Sequence, residues 1–434
     1  MKDKKNLPQI ITAVLSILML VFTLIFINFP DYSKPMLLLE KLGISTSGTI
    51  CTVGNNTFST NGTHETAVSI FKKISVSNTT STIVSFIILA ILLVTALTII
   101  SKAASKTKYS WTAYLCAFLL PVMFCDFTNT AFFKTLYINP LIMVLLLLIC
   151  AVFVHIFNKQ TVRIIGIVIL TILTLLYSWL GIVQAVTAIV VGILIARLHA
   201  ITKNQANKIL AILMGCIIVV QSIVFSFNYK SVDYKRDIYN AVFFGVAKYD
   251  SVTELGLDPK LDDFKEVYYG MKENEDEYDL ENTFYSKVSY KDIVKYYAAH
   301  PFNAYKVINY QAKNSALHYM QFGFTPYNFI KTKIPMNFII VVAVTIVYIL
   351  IAHILRKKYA SIKYTVEFFA GISVMWLISL IVGSIYFGNS DMAMVMTNYN
   401  VLFDILLLSV LIGGTRVVLH RQDEKKEEFG ITHE

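Results

Sequence analysis

The sequence predicts an all-α polytopic membrane protein of about ten transmembrane helices, with a mainly helical domain between the seventh and the eighth. Three observations predict it. Of 434 residues, 56% are hydrophobic and 15% charged, whereas soluble domains carry roughly a quarter charged residues. Apolar runs long enough to cross about 30 Å of hydrocarbon recur along the chain. Lysine and arginine gather in alternate loops between those runs. This composition excludes a soluble globular enzyme, and it equally excludes a disordered chain, which needs low hydrophobicity.

The runs cover residues 10–29, 83–100, 111–125, 139–157, 162–178, 181–198, 208–227, 335–355, 366–387 and 396–415. The first is expected to remain as a span, because its apolar part is too long for a leader and no small-x-small cleavage site follows Phe29. The third is the shortest and contains Pro121. The fifth and sixth form one apolar stretch broken at Ser178-Trp179-Leu180-Gly181, which reads as a tight hairpin.

Charge placement orders these spans. With the N-terminus inside, the inner loops and tail hold 19 basic residues, from Lys2 through Lys102, Lys159, Arg197 and Arg356 to Lys426. The short loops on the other face hold five: Lys34, Lys41, Lys72, Lys73 and Lys134. The expectation is a multi-pass protein of the plasma (cytoplasmic) membrane with both termini cytoplasmic. Its regions are 1–227 with seven spans and an outer loop at 30–82, an extracytoplasmic domain at 228–334, and 335–434 with three spans and a tail. The formal charge of +10 is thereby an orientation signal, and no nucleic-acid partner is expected. There is no GxGxxG, GxxxxGK[ST] or HExxH, so soluble nucleotide binding and zincin chemistry have no support. Five cysteines without a CxxC pair make neither a disulfide framework nor a zinc site.

The 228–334 segment carries 15 acidic and 14 basic residues and is rich in tyrosine and phenylalanine. Ser289 reads as an N-cap with Asp292 in the first turn, and Pro301 as the first residue of the next helix. From there Phe302, Tyr305, Ile308, Ala312 and Ala316 recur at helical spacing and predict one apolar face. The run Glu273 to Glu281 reads as a solvated loop, with a divalent-ion site as the alternative.

Few acids lie on the outer face beyond that segment: Asp31, Glu40, Glu65, Asp126 and Asp391. Asp31 falls two residues past the first span and Asp126 at the outer end of the third, so topology sets both at about one depth. A carboxylate at a bilayer interface is partly desolvated, which moves it toward the range useful for a general base. Two of them can instead share a divalent cation, Mg²⁺ or Mn²⁺. Both chemistries stay open, as does the plain reading of helix-end residues in water. Asp404 lies inside the last span and should face the bundle interior. His155, His199 and His353 close inner ends of spans and read as structural; His300 shapes a helix start. Asn55, Asn61 and Asn78 begin N-x-Thr sequons that read as chance outside a glycosylating pathway.

Four pieces resemble a known family. Asp31-Tyr32-Ser33-Lys34-Pro35-Met36 resembles the G-D-[FY]-x-R-x-M element of WsfD-type bacterial glycan-biosynthesis hexosyltransferases, which are GT-C superfamily membrane enzymes. Asp126 through Phe133 is similar to that family's D-x-G-Y-x-A-Y-F-N loop. Tyr239-Asn240-Ala241-Val242-Phe243-Phe244-Gly245-Val246, with Glu254-Leu255-Gly256-Leu257-Asp258-Pro259, resembles its Y-N-x-V-F-x-G-V…E-L-G-L-D-P element. His300-Pro301 leading to Ala312-Lys313-Asn314 is similar to its H-P…A-x-N helix. The chain departs at Pro30 in place of glycine, and at Lys134 in place of asparagine. Lys34 stands in place of arginine, which exchanges a bidentate grip for a point charge.

The resemblance implies a GT-C-like fold that moves a hexose from a polyprenyl-phosphate donor to a glycan or glycolipid acceptor at the outer face of the bilayer. Asp31 and Asp126 would be catalytic, the first as base and the second orienting the sugar or holding a cation. Lys34 and Lys134 would hold the donor phosphate. Asn129, Tyr239 and Asn240 would face sugar or acceptor. The competing classes are an O-antigen-type polymerase or ligase, a transporter or flippase, and a catalytically lost scaffold of glycan assembly. Arg236 is the only arginine in 228–334, whereas the ligase class would favour several.

Overall fold

A computed structural model describes residues 6–26, 78–104, 110–130, 133, 138–159, 163–202, 204–229, 234–267, 278–315, 326–358, 363–389 and 396–428. Asp31, Lys34, Lys134, Asn55, Asn61 and the first half of the Glu273–Glu281 run lie outside the described residues. Each of the ten predicted runs contains a helix among its described residues. The helices are α1 (Leu7–Phe26), α2 (Asn78–Ala104), α3 (Ser110–Phe124), α5 (Ile138–Lys159), α6 (Ile164–Ser178), α7 (Ile182–Arg197), α8 (Gln205–Phe227), α13 (Phe338–Lys358), α14 (Lys363–Phe387) and α15 (Thr397–Glu428). Seven are long and apolar enough to cross a membrane. The apolar parts of α3, α6 and α15 are shorter, at 10–17 residues. No strand occurs among the described residues. That outcome follows from the solvent: hydrocarbon offers backbone groups no partner, so each must bond within its own helix.

The chain divides into two compact units. The first contains Met1–Leu180, Val191–Ile218 and Phe403–Glu434. Here α1 packs on α2 and α3, and α5 lies between α2 and α6. Thr12 on α1 donates to the Ser101 hydroxyl on α2 at 2.9 Å and lies 3.4 Å from the Ala117 carbonyl on α3. Without a hydrophobic drive between helices in lipid, such buried hydroxyl contacts and close packing hold spans together. The closest approach is at Gly215 on α8, where an added Cβ would stand 2.5 Å from the Gly192 carbonyl and 2.7 Å from Ala196 Cβ. Outward, α1 exposes Ile10, Val14, Ile17, Leu18, Val21 and Ile25. A continuous apolar stripe of this kind on a soluble protein would be a liability, and on a span it is the lipid face. Asp404 is buried, as the sequence led us to expect.

The second unit contains Gly181–Val190 and Val219–Leu402. The inter-span domain is helical: α9 (Tyr234–Ala241) runs into a π turn at Val242–Val246, and α10 (Tyr290–Ala299), α11 (Pro301–Asn314) and the short α12 (Pro326–Lys333) follow. Its core is aromatic: the Tyr239 and Phe243 rings contact each other, and each contacts Phe264 and Phe284, at centroid distances of 4.5–6.3 Å. The α10 start is as predicted: Asp292 accepts from the Ser289 backbone N–H at 3.0 Å and from its hydroxyl at 2.6 Å. Pro301 opens α11. One register expectation fails. Phe302 is 68% exposed, and the buried face of α11 is Val307, Ile308, Gln311 and Ala312. The first turn of α11 lies beyond the core, so the packed stripe begins a turn later.

The inter-span domain is seated on the upper end of α14. Gly388, directly after that helix, has φ +59° and presses against the π turn: a Cβ there would lie 2.4 Å from the Asn240 carbonyl and 3.1 Å from the carbonyl carbon of Phe244. Asn389 N–H then donates to the Phe244 carbonyl at 3.1 Å, and the Gln311 amide donates to the Gly388 carbonyl. Only glycine fits both the left-handed backbone and the backbone-to-backbone approach.

Gly388→Ala is therefore expected to cost at least about 2 kcal/mol, from the left-handed conformation plus the overlap. Gly256→Ala is the control, since Gly256 has φ +73° but open space around it, and should cost about 1 kcal/mol. Thermal midpoints of the full chain in nanodiscs separate the two. A second expectation concerns pH. The Ser289 hydroxyl bond holds the Asp292 carboxyl below its ordinary range. Its folded-state value being lowered, the stabilisation is full above the ordinary carboxylate range and is lost as pH falls through that lower value. Asp292→Asn should flatten the acid limb of a midpoint-against-pH curve and cost about 1 kcal/mol at neutral pH.

Candidate functional site

Asp126 sits where helix geometry breaks. α3 ends at Phe124 and a single turn, α4 (Phe127–Thr130), begins three residues on. The Asp126 carbonyl accepts from Asn129 N–H at 3.0 Å, Thr130 N–H at 2.9 Å and the Thr130 hydroxyl at 3.0 Å. The Asn129 amide reaches back to the Met123 carbonyl at 3.1 Å. It thereby satisfies one of the acceptors that the end of α3 leaves over. The residue that carries the carboxylate is 1% exposed. Two hydrogen-bonded turns thus fix a carboxylate-bearing residue in a buried position at the end of a span.

The same turn is tied to α1. The Thr130 and Thr23 hydroxyls are 3.0 Å apart and both buried. Thr23 is in the last turn of α1, which ends at Phe26, and Asp31 follows five residues later in the sequence. Phe133, which closes the Asp126 motif, is fully buried with its ring edge against Phe86 at 5.9 Å.

In the other unit Tyr239 and Asn240 are neighbours on the last turn of α9. Tyr239 is fully buried in the aromatic core, and its hydroxyl donates to the Val267 carbonyl at 3.1 Å. That uses its polar end inside the protein, which gives Tyr239 an architectural part in the core. Asn240 is 7% exposed, and its carbonyl is the atom that Gly388 approaches.

Sequence reasoning passed over a polar cluster on this domain. Asp250 accepts from the Tyr296 hydroxyl at 2.9 Å and the Asn303 amide at 3.1 Å. His300 stacks on Tyr296 at 4.5 Å, and its Nε2 lies 3.8 Å from Glu254. Burial pushes the Tyr296 phenol above its ordinary range, and the Asp250 carboxylate adds to the effect. Asp250 was one of 15 acids in its segment, and only the fold distinguishes it from the others. Among the described residues, no group of three or more His, Cys, Asp or Glu side chains is placed to hold a metal ion.

A family model described as the YfdI N-terminal transmembrane domain matches residues 50–430. The chain belongs to this family. The match suggests a membrane protein of a glycosyltransferase type. No curated protein and no solved structure gives a match. The part shared with the YfdI N-terminal domain includes Asp126, Asn129, Lys134, Tyr239 and Asn240; it begins after Asp31 and Lys34. The Asp126 turn is thus a feature of the family-matched body, whereas Asp31 stands on the segment ahead of it.

Tyr239 allows a direct separation of architecture from contact. Tyr239→Phe should cost about 1 kcal/mol, the net worth of one buried hydrogen bond, and Tyr239→Ala about 3–5 kcal/mol. Thermal unfolding of the full chain measures both. A role through the core predicts that Tyr239→Phe leaves the KM for any sugar substrate unchanged.

Proposed function

We propose that this member of the YfdI N-terminal transmembrane domain family is a GT-C-type hexosyltransferase of the plasma membrane. It takes a hexose from a polyprenyl-phosphate donor and transfers it to a hydroxyl of a cell-surface glycan or glycolipid. The working face is the outer one, with both termini cytoplasmic, as the 19 basic residues of the inner loops favour. The observation that carries the reading is the Asp126 turn, with its buried carboxylate-bearing residue and its hydroxyl contact to the end of α1. Five residues beyond Phe26 the chain reaches Asp31, and an extended chain of five residues spans at most about 17 Å.

In this scheme Asp31 takes the proton of the acceptor hydroxyl as that oxygen attacks the anomeric carbon. The new bond is acceptor oxygen to anomeric carbon, and the bond broken joins that carbon to the phosphate oxygen. The phosphate departs with the electron pair, and Lys34 and Lys134 lower its cost as point charges. Asp126 orients the sugar, with Asn129 as a neutral hydrogen-bonding group beside it. A divalent cation shared by the two carboxylates would neutralise phosphate charge at the same place.

Asp31→Asn and Asp126→Asn, assayed separately for hexose transfer in membranes, are each expected to lower turnover 10²- to 10⁴-fold, the usual worth of a positioned acid or base. Normal expression and full turnover in both variants would remove this assignment.

A further inference from the structure

We propose that Lys331 and the first turn of α15 form a binding site for a phosphate ester that carries a hydroxylated group, at the level of the membrane surface. Three independent features converge on it.

The first is depth. Thr345 on α13 donates to the Ser373 carbonyl on the antiparallel α14 at 3.2 Å. In that register Phe338, the first residue of α13, stands level with Leu380. The start of α13 is anchored there by Asn309, whose side chain accepts from Phe338 N–H at 3.1 Å. Asn398 donates to the Ser379 hydroxyl at 2.7 Å. The opening of α15 is therefore level with the opening of α13, and α12 ends five residues before it.

The second is charge. Lys331 is only 8% exposed, and its Nζ lies 3.4 Å from the Asn400 carbonyl. Thr397, Asn398, Tyr399 and Asn400 are all buried. A helix start carries the positive end of its dipole and N–H groups with no acceptor inside the helix, which favours a bound anion. The ammonium adds a full charge in a place where little water screens it.

The third points to a ligand. The Tyr399 hydroxyl and Asn400 Oδ1 are buried and without a hydrogen-bond partner, on residues each 3% exposed. Asn400 Nδ2 reaches back to the Met396 carbonyl at 3.1 Å, which folds the amide over the first turn of α15. The Tyr399 O–H is a donor suited to a phosphate oxygen. Asn400 Oδ1 is an acceptor and asks for a hydroxyl. A phosphodiester with an adjacent hydroxylated group satisfies both. Two membrane molecules have that chemistry: a phospholipid with a glycerol or inositol headgroup, and a lipid-linked sugar phosphate. The second source rests on the proposed transferase reading, and the first does not.

The test uses the full chain in phosphatidylcholine nanodiscs, titrated with dodecyl phosphate. Trp376 stacks on Tyr399 at 5.4 Å, so its fluorescence reports occupancy, with Trp111 and Trp179 replaced by phenylalanine. Saturable binding is expected, weakened at least tenfold in Lys331→Gln and several-fold in Tyr399→Phe, and retained in Lys331→Arg. Dodecanol should give no saturable signal. Replacing a quarter of the lipid by phosphatidylglycerol assigns the source. A several-fold rise in the apparent Kd for dodecyl phosphate marks the headgroup as occupant, and an unchanged Kd leaves the lipid-linked sugar phosphate. Absence of saturable binding, or equal binding by Lys331→Gln with an unchanged thermal midpoint, overturns the site. Should Lys331→Gln fail to fold, Tyr399→Phe decides, and equal binding there is equally fatal. No turnover is read, so the fate of this site is separate from that of the Asp126 variants.

Discussion

Hydrocarbon does not hydrogen-bond, and most of this structure follows from that fact. Every apolar run had to become a helix, because an open backbone group in lipid costs several kcal/mol. The same constraint explains where polar side chains occur inside the spans. Thr12, Thr174, Thr187, Thr345 and Ser379 each return their hydroxyl to a carbonyl three or four residues back in their own helix. Two of these hydroxyls then reach a second helix, Thr12 to Ser101 and Thr345 to Ser373. In both, the single hydroxyl proton is shared between a carbonyl of its own helix and an acceptor on the next.

Where the constraint relaxes, the helices break, and buried polar groups gather there. α3 stops at Phe124, so its last carbonyls need outside donors, and the Asn129 amide supplies one. The turn that makes this possible is the one that holds Asp126. At the other end of the chain α14 runs about seven residues past the level at which α13 begins, roughly 10 Å at 1.5 Å per residue. That extension gives the inter-span domain a rigid post. Gly388 is the point at which backbone meets backbone, and the Gln311 amide bonds its carbonyl.

Much of this was legible in the sequence because one pattern dominates: long apolar runs separated by charge. The runs, the break in the helix at Ser178–Gly181, the Ser289 cap and the Pro301 start all rest on local rules and all appear in the structure. What was not legible depends on packing between distant segments. The α11 stripe was misread at Phe302 because periodicity says which residues share a face and not which turn of the helix the core reaches. Tyr239 looked like a sugar-facing aromatic in a family-like motif, yet its ring joins Phe243, Phe264 and Phe284, from segments up to 45 residues away. A motif marks a residue as needed without saying whether it touches substrate or holds up the neighbour that does. Lys331 was invisible for a similar reason: one lysine among 14 basic residues of its segment, it is set apart only by burial.

These facts bear on how a membrane transferase can be built from so few charges. An ion far from water is costly, so a membrane-spanning chain is served by keeping ionic groups near helix ends, where backbone dipoles and leftover N–H and carbonyl groups share the load. Asp126 follows that rule at the break after α3, and Lys331 follows it beside the start of α15. Backbone groups at helix ends shape the surroundings of both: the Asp126 carbonyl closes the Phe127–Thr130 turn, and Lys331 Nζ lies 3.4 Å from the Asn400 carbonyl. Local helix geometry is thus part of what both positions depend on. Substitutions that unwind the Phe127–Thr130 turn or the first turn of α15 should be as damaging as loss of the charged groups themselves.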